Sequence, residues 1–352
     1  MNVQTIATSA TPASAGVTYR LRKPYLLFIG DAASSGHAKT AFGIRDWAPD
    51  DVLAQWRLPG CRTDLNLPEM DAAAAAASGG ASLVIGIAPA GGRIPAHWID
   101  CLVAAADAGL DIVAGLHSRL NDIPELVAAA RRNGIALIDV REPPKGIAVA
   151  TGNKRSGKRL LTVGSDCALG KKYTALSLAR AMRQAGLDAD FRATGQTGIL
   201  IAGEGLPMDA VVVDFAAGAA EALSPDAAPD HWDVIEGQGS LIHPAYAGVT
   251  LALVHGSQPD ALILCHEAGR THINDQPGIR IPPLDELAEI YLRAARLTNP
   301  GVQLVGASLN TSRLDERAGE RALDEAEDLL QVPSFDPLRT SPDAIISKLK
   351  AL

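Results

Sequence analysis

Short apolar runs, several rich in β-branched residues, punctuate the chain and stop at glycine or polar turns, each followed by a stretch of helical character. In the first half these runs are "YLLFIG" (25–30), "SLVIGIA" (82–88), "LDIVAG" (110–115) and "IALIDV" (135–140). Helices are predicted over 97–108 and 122–133, the second opened by Asp122 with Pro124 in its first turn. Apolar strands alternating with helices build parallel sheets covered on both faces, so this half reads as a Rossmann-like unit. Its strands run into "GDAASSGHAKT", "APAGGR", "GLHSRLND" and "DVREPP". Such turns lie at strand carboxyl ends, where open α/β sheets gather ligands.

The pattern resumes in "RLLTVG", "DADFRATGQTG", "DAVVVDFAAG", "HWDVIEGQGS", "VTLALVHG", "DALILCHEAGR" and "VQLVGASLN", with helices near 285–297, 315–329 and 342–350. Between the halves, residues 143–159 ("PPKGIAVATGNKRSGKR") hold two prolines, three glycines and five basic residues against no acidic one. This stretch reads as a solvated linker, or as a basic segment (Lys154, Arg155, Lys158, Arg159) flanking an anion site. The predicted fold is α/β: a Rossmann-like parallel-sheet domain over 21–145 and a P-loop-like α/β domain over 146–352, after a loose tail at 1–20.

Composition narrows the function. The 352 residues carry a formal net charge of -8, which argues against nucleic acid or an anionic membrane as the main partner. A small anionic ligand needs only a local basic pocket. Cys61, Cys101, Cys167 and Cys265 show no paired spacing, as expected of reduced cytoplasmic thiols. The first sixteen residues lack the basic and apolar segments of a signal peptide, and no run approaches the ~20 apolar residues that span a bilayer. A soluble protein is expected.

The sharpest chemical signal is "LTVGSDCALGKKYTALSLARAMRQAG" (161–186). A strand, a glycine-bounded loop and a helix start aim backbone N–H groups and a helix dipole at one point, which suits a phosphate or diphosphate. Gly164, Ser165, Cys167, Gly170, Lys171, Lys172 and Tyr173 are the expected cofactor-binding residues. Lys172 stands where phosphate loops carry a metal-ligating Ser or Thr. An ammonium there neutralises anionic oxygen directly and repels a metal ion, so no metal is expected; Thr174, two positions further, points to another helix face. Two segments support the loop: "WDVIEGQG" sets Glu236 just past a strand, and "FRATGQTG" carries Arg192 and Gln196.

Loop and carboxylate together resemble the dethiobiotin synthetase branch of P-loop proteins, with G-T-D-x-x-x-G-K-T and V-E-G-A-G-G where this chain has "GSDCALGKK" and "IEGQGS". A resemblance covering nearly the whole chain is to the D-glutamate N-acetyltransferases, a P-loop family long described as a domain of unknown function. It rests on "GDAASSGHAKTAFGI", "AGLDIVAGLHSRLNDIPEL", "GSDCALGKKYTAL", "TGQTG" and "EGQGSLIHPAYAGVTLALVHGSQPDALILCHEAGR". The resemblance implies acetyl transfer from acetyl-CoA to the amine of D-glutamate; a homo-oligomer is expected. That chemistry needs a base, oxyanion donors and cations for two carboxylates. Glu236, Asp166 and His266 are the catalytic candidates, and Arg192, Gln196, His243 and Arg270 the substrate-binding ones. Cys167 is either a small loop residue or a thiol relay. The alternatives are an ATP-dependent ligase or kinase, and a nucleotide-binding protein without turnover.

Overall fold

The computed structural model describes residues 19–352 apart from 88, 90 and 91. Most of the predicted tail, and part of the "APAGGR" turn, lie outside the described residues. The chain runs through β1 (Tyr19–Arg20), β2 (Tyr25–Gly30), α1 (Lys39–Trp47), β3 (Val52–Arg57), α2 (Ala72–Ala77), β4 (Ser82–Ile85), α3 (Ile99–Asp107), β5 (Asp111–Ala114), α4 (Pro124–Asn133) and β6 (Leu137–Asp139). Then come β7 (Lys158–Gly164), α5 (Lys171–Gln184), β8 (Ala189–Arg192), α6 (Gln196–Ala202), β9 (Glu204–Gly205), α7 (Val213–Leu223), β10 (Trp232–Ile235) and α8 (Ala247–Ser257). The last elements are β11 (Ala261–Glu267), β12 (His272–Ile273), β13 (Gln276–Arg280), α9 (Leu284–Arg296), β14 (Gln303–Asn310), α10 (Glu316–Leu330), β15 (Ser334–Phe335) and α11 (Asp343–Ala351).

Two parallel sheets organise these elements: β3-β2-β4-β5-β6 in the first half and β15-β14-β11-β7-β10-β8 in the second. The central strands β2, β4 and β5 are buried along their whole length, as strands covered on both faces must be. Helix α6 joins the halves. Its Ile199, Leu200 and Ile201 share one hydrophobic core with β2 and β4, so the Rossmann-like core is completed by a helix that follows β8. Beneath that helix, Gly43 on α1 leaves room for Thr197 and Ile201, and Gly115 for Gln196.

Two expected strands are helices. "DAVVVDFAAG" forms a 3-10 turn at Met208–Ala210 and then α7, and "VTLALVHG" lies in α8. Short apolar runs do not separate strand from buried helix by periodicity. Here the small residues decide: a Cβ at Gly256 would stand 2.1 Å from the carbonyl of Ala217, so α7 and α8 pack backbone to backbone. The basic segment does not flank the loop: much of it is exposed, as a linker is, but two of its arginines turn inward. Arg159 is fully buried and donates to the carbonyls of Arg155, Ser156, Gly157, Ser224 and Pro225. Lys154 pairs with Asp260 at 2.7 Å, and Arg155 holds Ser224 and Gly256. These groups brace the amino end of β7, the end opposite the glycine loop. Among the described residues no helix is long and apolar enough to cross a membrane.

Candidate active site

The loop after β7 owes its path to three residues. A Cβ at Gly164 would lie 2.9 Å from Leu169 and 3.1 Å from the carbonyl of Cys265, while Ala168 (φ 54) and Gly170 (φ 111) take left-handed steps that turn the chain into α5. Lys171 folds back over this turn and donates from Nζ to the carbonyl of Asp166 at 2.7 Å. Burial holds its ammonium pKa below the ordinary lysine range. The result is a cavity of about 370 Å³ whose walls include Cys167, Lys171, Lys172, Gln196, Asp209 and Glu236.

Glu236 forms the floor. Its Oε2 accepts the N–H groups of Thr194 and Gly195 at 3.0 and 3.1 Å, and Thr194 Oγ1 donates to the Glu236 carbonyl at 2.7 Å. Gly198 makes room for it, since a Cβ there would fall 2.2 Å from Glu236 Oε2, and a Cβ at the following Gly237 would fall 1.7 Å from the Thr162 carbonyl. Burial raises the Glu236 pKa above the usual carboxylate range, against the two N–H donors and the lysines. Lys172 reaches the cavity from the first turn of α5, its ammonium 4.6 Å over the Tyr173 ring. Burial lowers its pKa, with Glu236 opposing. Thr174 faces away from the loop: its hydroxyl donates to the Gly170 carbonyl and contacts Ser308 Oγ at 2.7 Å.

Cys167, Gly170, Lys171, Lys172, Tyr173, Gln196 and Glu236 come together around one cavity. Gly164 and Ser165 shape the loop without lining that cavity; the Ser165 hydroxyl meets His266 Nδ1 at 2.7 Å. Four expectations need correction. Asp166 is fully buried: Oδ1 accepts the Cys167 N–H at 2.6 Å, and Oδ2 accepts Arg270 Nη1 at 2.8 Å and the Asn274 N–H at 2.7 Å. It pins the loop to the β12–β13 hairpin and has no face on the cavity. Arg270 is consumed by the same network, with Glu267 as its second carboxylate. Arg192 turns away to Asp233 at 2.5 Å, with Asp190 and Glu204 near by. His266 faces a separate cavity with Arg270, Arg280 and Glu286, and burial and Arg270 push its pKa down to about 4, so the ring is neutral at pH 7.

His243 lies behind the loop. Its Nδ1 accepts the Ala245 N–H at 3.1 Å, and its Nε2 stands 3.9 Å from Asp166 Oδ1. Ligand atoms of Asp166, Cys167 and His243 fall within 4.8 Å of one another, a grouping of residue types that bind cations. As hydrogen-bonded here, the neutral imidazole carries its proton on Nε2 and offers that group a donor rather than a lone pair. Burial raises the Cys167 pKa, with Lys171 opposing, so Cys167 stays a thiol at neutral pH. Three polar cavity residues, Thr197, Gln238 and Asp209, are not among the sequence candidates. Gln238, which donates to Thr194 Oγ1 at 3.0 Å, lies inside the quoted "EGQGS"; Asp209 has no local signal, because the turn after β9 brings it to the loop.

A glycine-rich loop at the carboxyl end of a parallel sheet, with a Rossmann-like unit docked beside it, defines a two-part α/β protein of the P-loop class. Residues 147–346 match a family described as "Domain of unknown function (DUF1611_C) P-loop domain", and residues 56–143 match its partner, the "DUF1611_N Rossmann-like domain". The chain belongs to this DUF1611 family. It is 49% identical over 332 residues to a D-glutamate N-acetyltransferase of Tritonibacter scottomollicae, covering 94% of this chain and 100% of the relative. It is 44% identical over 330 residues to a D-glutamate N-acetyltransferase of a Pseudoalteromonas species, covering 94% and 99%. The crystal structure of a DUF1611 family protein from Anabaena variabilis superposes with a TM-score of 0.80 at 34% identity, covering 94% of this chain and 100% of that one.

Proposed function

We propose that this chain transfers the acetyl group of acetyl-CoA to the amino group of D-glutamate, giving N-acetyl-D-glutamate and CoA. The observation that carries this reading is the identity of 44–49%, end to end, to two relatives that share the name D-glutamate N-acetyltransferase. The loop geometry supports acetyl-CoA as the donor. A CoA diphosphate meets the N–H groups of the loop and the start of α5, with Lys171 and Lys172 supplying fixed positive charge. CoA has no γ-phosphate to be split, and a loop with Lys172 in place of the hydroxyl holds a diphosphate without the usual metal ligand. Glu236 and Asp209 are the carboxylates that line the loop cavity, and either could receive the proton that the substrate ammonium must lose.

The test is direct. Purified protein mixed with acetyl-CoA and D-glutamate, without ATP, is expected to release free CoA thiol in step with an acetylated amino acid identified by mass. L-Glutamate and a panel of other D-amino acids run beside it read the acceptor preference. No product with D-glutamate, or product only when ATP is added, rejects the reading.

A further inference from the structure

A second cavity, about 650 Å³, opens beside the loop cavity and shares Cys167, Asp209, Gln238 and Gly239 with it. The two differ in character. The loop cavity presents lysines and backbone donors, whereas the second is walled by Met208, Val211, Val213, Ala216 and Val249 from the turn after β9, α7 and α8. Val213 and Tyr246 on its rim are 82% and 53% exposed, an apolar face beside a polar one. An extended ligand with an anionic head and a mostly aliphatic arm matches this joined groove.

One ion pair lies on the wall. Arg141, which follows β6 of the Rossmann-like half, holds Asp209 of the P-loop half at 3.3 Å, with the two side chains 28% and 37% exposed. A pair this open carries little stability, so its separation by a ligand costs little. Its charges complement an amino acid: the guanidinium suits a carboxylate, and the carboxylate suits an ammonium.

Resting on the acetyltransferase reading above, we infer that the second cavity takes the pantetheine arm of acetyl-CoA, and that Arg141 and Asp209, on its wall, grip the acceptor amino acid. Glu236 lines the loop cavity alone, whereas Asp209 lines both cavities and Arg141 the second. Asp209 is then the proton acceptor and Glu236 a positioning residue for the loop. The acceptor ammonium gives one proton to Asp209 and the freed amine attacks the acetyl carbon. The C–S bond breaks, and the leaving thiolate takes the second amine proton, giving CoA thiol; Asp209 returns its proton to water.

Gly248, on α8, offers a probe that spares the fold, because a Cβ there meets nothing within 4 Å and the residue lines the second cavity. Gly248→Trp is expected to raise KM for acetyl-CoA roughly tenfold or more by filling the groove, while affinity for ADP, which has the diphosphate but no arm, stays unchanged. Arg141→Ala is expected to raise KM for D-glutamate roughly tenfold or more and KM for acetyl-CoA much less, with partial rescue by Arg141→Lys. Asp209→Asn should lower kcat about 100-fold. Melting temperatures close to wild type confirm that the variants are folded. A wild-type protein that makes no product defeats the functional reading itself. A wild-type protein that turns over, with KM for acetyl-CoA unchanged in Gly248→Trp or KM for D-glutamate unchanged in Arg141→Ala, defeats this inference alone.

Discussion

Each half of the molecule contains a strand, a glycine-led turn and a helix, yet the two turns are put to different use. In the Rossmann-like half, β2 ends at Gly30, whose φ of 50 and whose position 2.8 Å (Cβ to ring) from Trp98 exclude a side chain. The next residue, Asp31, accepts the Trp98 indole N–H at 3.0 Å and contacts His97 Nε2 at 3.1 Å. The start of α1 then meets α6 through Thr40 and Thr197. The carboxylate of this turn serves packing. In the P-loop half, β7 ends at Gly164, Lys171 curls onto the loop's own backbone, and a void remains in front of the helix start. The contrast teaches that a strand–glycine–helix pattern becomes a binding site only where neighbouring side chains leave its donors facing open space.

The sharpest way to break this comparison is at the glycines. Gly237→Ala drives a methyl to within 1.7 Å of the Thr162 carbonyl, on the floor of the loop cavity. It is expected to cost more than ~3 kcal/mol or to abolish acetyl-CoA binding. Gly30→Ala should destabilise as well, through its positive φ and Trp98, but the molecules that remain folded should bind acetyl-CoA with wild-type affinity. Calorimetric titration beside thermal melts separates the two. Lost binding in folded Gly30→Ala would show that the first turn contributes to the site after all.

Next in size is the loop lysine. Lys171→Ala should weaken acetyl-CoA binding about tenfold to a hundredfold, the loss of a charged hydrogen bond worth ~1.5–3 kcal/mol. EDTA should leave wild-type initial rates nearly unchanged, because Lys172 occupies the place of a metal-ligating hydroxyl. Activity abolished by EDTA and restored by Mg²⁺ would show instead that the loop, or the Asp166–Cys167–His243 group, holds an ion. Glu236→Gln is a smaller perturbation. Glutamine keeps a carbonyl for the Thr194 and Gly195 N–H groups, so if Glu236 only positions the loop, kcat should fall less than about tenfold. A fall of ~100-fold would return the proton-accepting role to Glu236.

Much of the contrast is legible in the sequence, and the rest fails for physical reasons. Strand β2 stands out because complete burial makes it continuously apolar, β7, β11 and β14 through the buried, mostly apolar runs inside them, and the loop because its glycines are fixed by backbone geometry. α7 and α8 do not, because "VVVDF" and "VTLALV" are as consistent with a buried helix as with a strand, and the close approach at Gly256 is a tertiary fact. The charged residues mislead most. Arg192, Asp166 and Arg270 are polar groups near the right strand ends, but each finds a partner far away in sequence. Asp209 and Arg141 carry no motif at all; a sequence shows which side chains can ionise, not which of them are already satisfied.

The smallest expected effect is a difference in acid response between the halves. His266, beside the P-loop, has its pKa pushed down to about 4 from an ordinary 6.5, chiefly by burial and by Arg270. Its folded pKa lies below its unfolded one, so the fold favours the neutral ring. The stability this contributes is present above pH 6.5 and is lost as pH falls through 4. Asp139, at the end of β6, behaves oppositely. Burial raises it from 3.8 to about 6, against the Leu120 N–H that both its oxygens accept. The fold favours its protonated form, so its contribution is full below pH 3.8 and is lost as pH rises through 6. Between pH 7 and pH 4 the two therefore oppose each other, and wild-type stability should show little net slope from this pair. Each half is exposed by removing its own group. His266→Asn should flatten the fall in melting temperature on acidification. Asp139→Asn, which keeps an acceptor for Leu120, should raise stability at pH 7 by about 1 kcal/mol and steepen that fall. Thermal melts of the three proteins from pH 7 to pH 4 measure both slopes. Parallel curves would mean that neither buried group feels its surroundings differently from the unfolded chain, and the contrast in acid response between the two halves would be lost.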